Sequence, residues 1–249
     1  EGEGVIVGLV RALRGEYPLS SVPGIVFRDA QGQVRKTPSP PVPRDLDQHP
    51  IPVFDRFLDQ FSRSEWRHEA PARLLFETSR GCWWGQKHLC TFCGLNQEGL
   101  GFRAKSPERA YEEISTLYTR YPQANFIQTT DNILPMRYIK EVMPRLAALP
   151  KDPDRPLRMF FMIKSNLRRD QLQAIVDGGV FAVQPGIESF SDHILHDMDK
   201  GVDGIDQVQL VKFGHEVGLT MSYNLIIRNP GDRPEYYDDM TALLPFISH

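Results

Sequence analysis

The sequence predicts an α/β protein whose parallel strands form a partial or complete barrel. Its composition, with 41% hydrophobic and 24% charged residues, is that of a globular protein able to bury a core. From residue 72 onward, apolar strand patterns alternate with helical patterns, which is typical of right-handed crossover units on a parallel sheet. Five such units favour a barrel, and a doubly wound open sheet is the competing arrangement.

The first 36 residues predict one helix and one hairpin. The helix runs to about residue 14, and a strand over residues 24–28 is followed by the turn DAQGQ and a second short strand. A helix and a hairpin bury too little apolar surface to fold alone. Residues 1–36 are therefore expected to be the C-terminal end of a larger domain that begins outside this chain.

Residues 37–71 are predicted to be a proline-rich linker. Six of the 20 prolines lie in the stretch TPSPPVPRDLDQHPIP, and proline disfavours helix and interior strand while favouring an extended path. The core is then expected over residues 72–249 and to be incomplete at its C-terminus, with a sixth strand beyond the end of the chain.

Strands and helices are predicted to alternate through this core. The five strands are expected over residues 73–78, 125–130, 157–163, 180–185 and 219–225. Ser106 is predicted to cap a helix whose first residue is Pro107. Further helices are expected over residues 167–177, from about Ser191, over residues 206–217 and at the end of the chain. Gly178, Gly179 and Gly218 favour the left-handed turns that end two of these helices.

Charge and hydropathy limit the partners and the location. The formal net charge of −3 gives no general electrostatic reason to bind nucleic acid or an anionic membrane, so neither is expected. No apolar run is long enough to span a bilayer, and the sequence shows no charged-then-apolar leader. A cytoplasmic location is therefore expected, where thiols stay reduced.

All three cysteines lie within twelve positions, in the segment ETSRGCWWGQKHLCTFCGLN. A small, odd and clustered set of reduced thiols favours metal binding or catalysis over a disulfide framework. The segment follows the first predicted strand directly, so the thiols are expected at the C-terminal edge of the sheet, where α/β proteins bind ligands. Cys82, Cys90 and Cys93 are therefore candidate metal ligands.

Two metal centres are compatible with this spacing. Three thiolates on a 4Fe–4S cluster leave one iron open for a substrate, whereas Cys82, His88, Cys90 and Cys93 together would suit a structural zinc ion. A zinc site does not explain the polar residues that follow the later strands, although Thr130, Ser165 and Ser189 could equally be helix caps and Lys164 could equally be a solvated side chain. These polar residues are Thr129, Thr130, Asp131 and Asn132, then Lys164 and Ser165, Glu188 and Ser189, and Asn224.

Several segments together resemble the radical S-adenosylmethionine (SAM) enzymes. They are SRGCWWGQKHLCTFCGLN, GFRAKSP, TTDNILP, QPGIESFSDHILHDMDKG and NPGD. They are most similar to the cobalamin-binding group that matures ribosomally made peptides (RiPPs), in which a seven-then-two cysteine spacing replaces the usual three-then-two. The opening helix and the hairpin GIVFRD resemble the end of that group's Rossmann-like cobalamin-binding domain. The resemblance implies a partial (β/α) TIM-like barrel preceded by this remnant.

The resemblance also implies roles for individual residues. Cys82, Cys90 and Cys93 would ligate the 4Fe–4S cluster, and SAM would chelate the open iron. Phe92 would lie near the adenine, Thr130, Asp131 and Asn132 at the SAM amino group, and Glu188 and Asn224 at the ribose. The sequence departs from the family where Met162 stands in place of an acidic residue, so one ribose or amino contact to SAM is expected to be either missing or replaced by Lys164. It departs again where Arg228 and Asn229 precede the PG step.

The implied activity is radical modification of a peptide. Electron transfer into the cluster would cleave SAM to a 5′-deoxyadenosyl radical, which abstracts a hydrogen atom from the substrate. With cobalamin as a further cofactor the outcome would be C-methylation, and the partners would be a precursor peptide and a reductant such as flavodoxin or ferredoxin. The alternatives are an epimerase or cross-linking enzyme without methyl transfer, and a non-catalytic, zinc-stabilised peptide-binding module.

Overall fold

The computed structural model describes residues 2–95, 101–124, 126–150 and 152–247, except the side chain of Asp239. The chain divides into two compact units, Glu1–Pro50 and Ile51–His249. The boundary falls inside the stretch 37–71 that the sequence predicts to be a linker.

The first unit contains the predicted helix and hairpin. Helix α1 spans Glu3–Leu13, and strands β1, Val26–Arg28, and β2, Val34–Lys36, pair antiparallel. One side of α1 buries Val5 and Ala12 against Val22. Its other side is also apolar but exposed, at Ile6, Val7, Val10 and Leu13.

The second unit is a parallel sheet with helices between its strands. Its helices are α2 (Asp55–Arg63), α3 (Pro107–Arg120), α4 (Tyr138–Glu141), α5 (Met143–Ala147), α6 (Arg169–Asp177), α7 (Asp192–Asp197), α8 (Gly204–Glu216) and α9 (Asp238–Ile247). Its strands are β3 (Arg73–Phe76), β4 (Ser79–Arg80), β5 (Arg103–Ala104), β6 (Phe126–Thr129), β7 (Arg158–Ile163), β8 (Val180–Pro185) and β9 (Thr220–Met221). Strands β4 and β5 form a separate antiparallel pair.

The order of the strands favours a partial barrel over a doubly wound sheet. The sheet runs β3-β6-β7-β8-β9, and every neighbouring pair in it is parallel. Spatial order therefore follows chain order, and each crossover advances in the same direction. A doubly wound sheet would instead reverse its order at a switch point, where its ligand binds. The predicted α/β class and parallel sheet are confirmed.

Strand β7 shows how the sheet packs one of its faces into the core. In β7, Met159, Phe161 and Ile163 are buried, while the residues between them are half-buried or exposed. This period of two is that of a strand with one packed face. Because the five strands are parallel, their C-terminal ends lie at the same edge of the sheet, and the side chains that follow them meet there.

Helix α3 begins where the sequence predicts. The Ser106 hydroxyl accepts a hydrogen bond from the backbone N–H of Arg109 at 3.1 Å, and Pro107 is the first helical residue. Two helix ends also agree with the sequence: Gly179 after α6 has φ +103°, and Gly218 after α8 has φ +79°. Such values favour glycine, because a Cβ is strained there.

Two elements differ from the sequence prediction, and one predicted residue lies outside the described part of the chain. Asp55–Arg63 and Glu65–His68 are helical, although they lie in the predicted linker, and Leu58 joins the core of the second unit. The fifth strand is limited to Thr220–Met221, because the chain beyond it turns to hydrogen-bond with Glu188. Asn125, predicted to open the second strand, lies outside the described residues. No helix within the described ranges is long and apolar enough to cross a membrane.

Replacing Ser106 with Ala should lower the free energy of unfolding by about 1 kcal/mol, because one N–H of the first turn loses its acceptor. Urea unfolding followed by circular dichroism measures this change. Ser115→Ala in the same helix is the control, since its hydroxyl only bonds back to the carbonyls of Tyr111 and Glu112, and alanine is a better helix former there. An equal loss in both variants would contradict the capping role.

Candidate functional site

The cysteine loop, residues 81–93, begins directly after β4, which is the strand that follows β3 along the chain. Gly81, at φ +80°, permits the sharp turn into the loop. Backbone turns then fold the segment: the N–H of His88 donates to the Trp84 carbonyl at 2.9 Å, and the N–H of Cys93 donates to the Cys90 carbonyl at 2.9 Å. One turn lies in the long arm of the loop, between Cys82 and Cys90, and the other lies in the short arm, between Cys90 and Cys93.

All three thiols border one cavity of about 210 Å³ at the C-terminal edge of the sheet. The cavity is also lined by residues that follow four of the five parallel strands. They are Asn132 and Ile133 after β6, Lys164 after β7, Gly186, Glu188 and Lys200 after β8, and Asn224 after β9. Phe92, Trp84 and Leu95 of the cysteine segment also line it, as do Met162 and Ile163 of β7 and Gln184 and Pro185 of β8. The sheet thus brings the predicted ligands and the predicted polar residues together.

The chemistry of this donor set fits an iron–sulfur cluster. The thiols of Cys82, Cys90 and Cys93 are half-buried. Among the described residues, no three His, Cys, Asp or Glu side chains converge in the way that a single metal ion requires. A cubane cluster makes a different demand, since each thiolate binds a different iron, and the three cysteines that would supply these thiolates line one cavity.

Two ammonium groups face the thiols. Burial raises the pKa of the Cys90 thiol, and the charges of Lys200 and Lys164 oppose that rise. Burial also lowers the pKa of Lys164 to about 8, and the neighbouring Lys200 ammonium contributes in the same direction. Cations beside the thiols favour the thiolate form, which is the form that binds metal.

Lys164 is held at the end of β7 by one hydrogen bond and one ring. Its ammonium donates to the carbonyl of Lys200 at 2.6 Å and lies 4.3 Å from the centre of the Trp84 ring. Lys164 is only 5% exposed, and no carboxylate within the described chain forms an ion pair with it. Its charge is therefore available to an anionic group in the cavity.

Glu188 and Lys200 form an ion pair in the cavity wall. The Lys200 ammonium donates to Glu188 Oε1 at 3.1 Å, and it lies 5.4 Å from the centre of the Phe92 ring. Gly186 makes room for the pair, because a Cβ there would lie 3.0 Å from Lys200 Nζ. The pair is largely buried, with side chains 8% and 17% exposed.

The backbone of Glu188 brings the last strand end to the site. Its φ is +62°, which is uncommon for a residue with a side chain and persists only where the surrounding contacts fix it. In this conformation its N–H donates to the Asn224 carbonyl at 3.1 Å, and its carbonyl accepts from the Ile226 N–H at 2.8 Å. These two bonds place Asn224 against the cavity.

The residues Thr130 and Asp131, predicted to contact SAM, do not line the cavity. Asp131 is fully buried, and its carboxylate accepts hydrogen bonds from the backbone N–H groups of Thr78, at 2.7 Å, and Ser79, at 3.1 Å, as well as from the Thr78 hydroxyl. Thr130 is exposed and bonds to the carbonyl of Phe76. The geometry gives Asp131 the role of joining β6 to the chain that enters the cysteine loop. Of the three neighbours, Asn132 alone lines the cavity.

Some residues of the site are not found by sequence reasoning alone. Lys200 supplies the ion pair to Glu188, although only its place in the segment DMDKG connects it with the other motifs.

Met162 lines the cavity at the position where an acidic residue is expected. His88 is half-exposed and stacks on Trp84, with ring centroids 4.8 Å apart. Trp83 donates from Nε1 to the Leu134 carbonyl at 3.1 Å.

The NPGD segment lies at a different cavity. Arg228 has φ +64°, and the N–H of Asn229 donates to Asp232 Oδ2 at 2.7 Å. The same carboxylate oxygen accepts a hydrogen bond from the Tyr237 hydroxyl. Asp232 therefore closes the turn that leads into α9, and the departure from the family pattern at Arg228 and Asn229 lies at a cavity that none of the three cysteines lines.

Comparison with known proteins gives a family match and curated relatives. The profile of the Radical SAM superfamily matches residues 76–243. The chain is 28% identical over 240 residues to the uncharacterized methyltransferase PH0819 of Pyrococcus horikoshii. This match covers 94% of this chain and 49% of PH0819. The chain is also 28% identical over 118 residues to the anaerobic magnesium-protoporphyrin IX monomethyl ester cyclase of Synechocystis, covering 47% of this chain and 22% of the cyclase. The chain thus spans half the length of these relatives or less.

Two solved structures share the fold. OxsB, a cobalamin-dependent S-adenosylmethionine radical enzyme solved with aqua-cobalamin and S-adenosylmethionine, matches with a TM-score of 0.72 at 20% identity, over 100% of this chain and 35% of OxsB. TsrM from Kitasatospora setae, a radical S-adenosylmethionine methyltransferase solved with tryptophan and a SAM analog, matches with a TM-score of 0.70 at 18% identity, over 99% of this chain and 48% of TsrM.

Asp131 should make folding stability depend on pH. Burial raises its pKa to about 6, above the ordinary 3.8, although the hydrogen bonds from Thr78 and Ser79 oppose the rise. The protonated carboxyl therefore stabilises the fold, and this contribution is complete below pH 3.8 and lost as pH rises through 6. Between pH 4 and pH 7 the native chain should lose on the order of 3 kcal/mol more stability than Asp131→Asn, which cannot ionise.

Urea unfolding of both proteins at several pH values measures this difference. Asp177→Asn serves as the control, because Asp177 lies on the exposed side of α6, where it accepts a hydrogen bond from Gln173. Parallel pH profiles for the native chain and Asp131→Asn would show that the carboxyl is not perturbed.

Proposed function

The chain belongs to the radical SAM superfamily, and from that premise we propose that it is the core of a cobalamin-dependent radical SAM methyltransferase. The single observation that carries the proposal is the arrangement of one cavity. Its wall contains all three cysteines of the chain, two buried lysines and a glutamate at the C-terminal edge of a parallel sheet. The family's cofactors are a 4Fe–4S cluster and SAM, which need thiolate ligands and polar contacts respectively.

In this proposal Cys82, Cys90 and Cys93 ligate the cluster. When bound, the cluster would supply the electron with which the family cleaves SAM. The protein's own residues prepare the position: Asp131 fixes the chain at Thr78 and Ser79, a few residues before Cys82. Lys164 and Lys200 place positive charge beside thiolates that would otherwise repel one another in a poorly solvated site.

The polar wall suits the functional groups of SAM. The ammonium groups of Lys164 and Lys200 offer hydrogen bonds to a carboxylate, and Glu188 offers acceptors to the ribose hydroxyls or the amino group. Phe92, which is 39% exposed, supplies an aromatic surface for the adenine. Asn132 and Asn224 add amide groups on either side. Thr130, which does not line the cavity, is not assigned a contact, and we assign Asp131 an indirect role through its hydrogen bonds to Thr78 and Ser79.

Methyl transfer with cobalamin is supported by the relatives. PH0819 is named a methyltransferase and matches 94% of this chain, while OxsB and TsrM, which share the fold, are a cobalamin-dependent enzyme and a methyltransferase. The first unit adds a physical argument. The exposed apolar residues Ile6, Val10 and Leu13 of α1 are those expected of a helix that packs inside a larger domain, and we infer that this domain binds cobalamin.

We propose a ribosomally made peptide as the substrate and a flavodoxin or ferredoxin as the reductant. The peptide assignment rests on the similarity of the cysteine spacing to the RiPP maturation group. Epimerisation or cross-linking of a peptide would use the same cavity without cobalamin, so cobalamin binding and a mass gain of one methyl group in the product distinguish methyl transfer from them. A zinc-stabilised module would bind neither iron nor SAM.

Replacing Cys90 with Ala should abolish the cluster, because two thiolates do not hold it stably. Iron and sulfide content and the visible absorbance of anaerobically reconstituted protein measure the loss. The matched variant is His88→Ala, which removes the fourth ligand of a zinc site but none of the cluster. Iron retained in Cys90→Ala, or equal losses in both variants, would contradict the cluster assignment.

Replacing Glu188 with Ala should weaken SAM binding about ten- to a hundredfold, since a hydrogen bond to a charged group is worth about 1.5 to 3 kcal/mol. Iron content should not change. Calorimetry with the reconstituted protein measures the affinity. Glu216→Ala is the control, because Glu216 forms an exposed ion pair with Arg169 on the outer helices. Normal SAM affinity combined with a lower melting temperature would assign Glu188 a structural role only.

A further inference from the structure

A five-residue turn at the end of α7 contacts the short arm of the cysteine loop. This turn, named here the 197–201 turn, consists of Asp197, Met198, Asp199, Lys200 and Gly201. The backbone N–H of Thr91 donates to the Met198 carbonyl at 3.1 Å, and the Thr91 hydroxyl donates to the Asp197 carbonyl at 3.0 Å. Because Thr91 lies between Cys90 and Cys93, these bonds fix the two neighbouring thiols.

The same turn contacts the long arm of the loop. A Cβ on Gly201 would lie 2.3 Å from Cζ2 of Trp84, so the indole rests directly on the glycine backbone. Trp84 also stacks on His88, whose Nδ1 is 4.0 Å from Asp199 Oδ2. The long arm, which separates Cys82 from the other thiols, is thus held at Gly201.

Lys200 connects these loop contacts with the cavity. Its carbonyl accepts the hydrogen bond from Lys164 at 2.6 Å, and its ammonium reaches Glu188. The turn is itself shaped by two residues with positive φ, Asp199 at +48° and Gly201 at +66°. Since Asp199 carries a side chain, this conformation costs about 1 kcal/mol or more and persists because the surrounding contacts fix it.

We propose that the 197–201 turn is a clamp that holds the cysteine loop in its ligating geometry before the cluster is bound, with Thr91 and Gly201 as its positioning residues. The inference rests on the proposed function, because it assigns these residues a role toward the cluster. Residues 81–93 are built from turns, so gathering three thiols costs conformational entropy. A clamp that orders the loop in advance removes part of this cost from cluster binding.

Alkylation of the apo protein by iodoacetamide tests the clamp. The chain is freed of iron by anaerobic chelation, and mass spectrometry follows the modification of each cysteine. Thr91→Val keeps the side-chain shape but removes one hydrogen bond, so Cys90 and Cys93 should react about fivefold faster than in the native chain. Gly201→Ala displaces Trp84, and we expect an acceleration of about tenfold or more that includes Cys82.

Cluster retention supplies a second readout. After reconstitution with ferrous iron and sulfide, the visible absorbance lost to a chelator should decay faster in Thr91→Val and Gly201→Ala by similar factors. Thr91→Ser restores the hydroxyl and should return both rates to those of the native chain. A residue with only a structural role would lower the melting temperature without this rescue pattern.

Two control variants match the perturbations away from the site. Thr241→Val removes a similar hydroxyl bond, from Thr241 to the Tyr237 carbonyl at 2.8 Å on α9. Gly218→Ala imposes a side chain at φ +79°, where a Cβ meets no atom within 4 Å. Neither control should change thiol reactivity.

Thiol reactivity that is equal in the native chain, Thr91→Val and Gly201→Ala would overturn the clamp. So would an acceleration that Thr241→Val and Gly218→Ala reproduce, because it would reflect general loosening of the fold. Failure of the proposed function is distinguishable from both outcomes. A native chain that takes up no iron would refute the cluster, whereas alkylation of the apo protein would still decide whether the turn orders the loop.

Discussion

The ion pair between Lys200 and Glu188 is the interaction on which the organisation of the site depends. Each partner is tied through its backbone to a different part of the structure: Glu188 to Asn224 and Ile226, and Lys200 to Lys164. A largely buried ion pair contributes little net stability, because desolvation of both charges offsets their attraction. Its value here is geometric, because it fixes the position of the 197–201 turn relative to the ends of β8 and β9.

The electrostatics of the cavity follow from the same pair. Glu188 neutralises one ammonium, and the charge of Lys164 is left with a carbonyl and an indole ring as its neighbours. An uncompensated cation is costly in a buried position, and burial accordingly lowers the pKa of Lys164 to about 8. The protein thus maintains a site that favours anionic groups, which agrees with the thiolates and the SAM carboxylate of the proposed function.

Sequence reasoning located the strands and helix ends whose signals lie in neighbouring residues of the chain. The strands over residues 73–78, 157–163 and 180–185 have a period of two or a continuous apolar pattern, and Ser106 with Pro107 is a local capping signal, so the observed elements begin and end near the predicted positions. Lys200 could not be located in this way. It lies 12 residues beyond Glu188, with a helix between them, and the two meet only because α7 returns the chain to the sheet edge. Asp131 has the right residue type next to a strand end, but burial directs its carboxylate toward Thr78 and Ser79.

Gly186 sets how closely the Lys200 ammonium can approach the end of β8. A Cβ at this position would lie 3.0 Å from Lys200 Nζ and 3.5 Å from Glu188 Oε1. The ammonium is the end of a flexible side chain, so it could yield to an alanine at 186 by a few tenths of an ångström. A larger side chain would project into the cavity that Gly186 lines together with the thiols. Position 186 is therefore expected to tolerate only small residues, and the length of the ion pair is the first quantity that a substitution there would change.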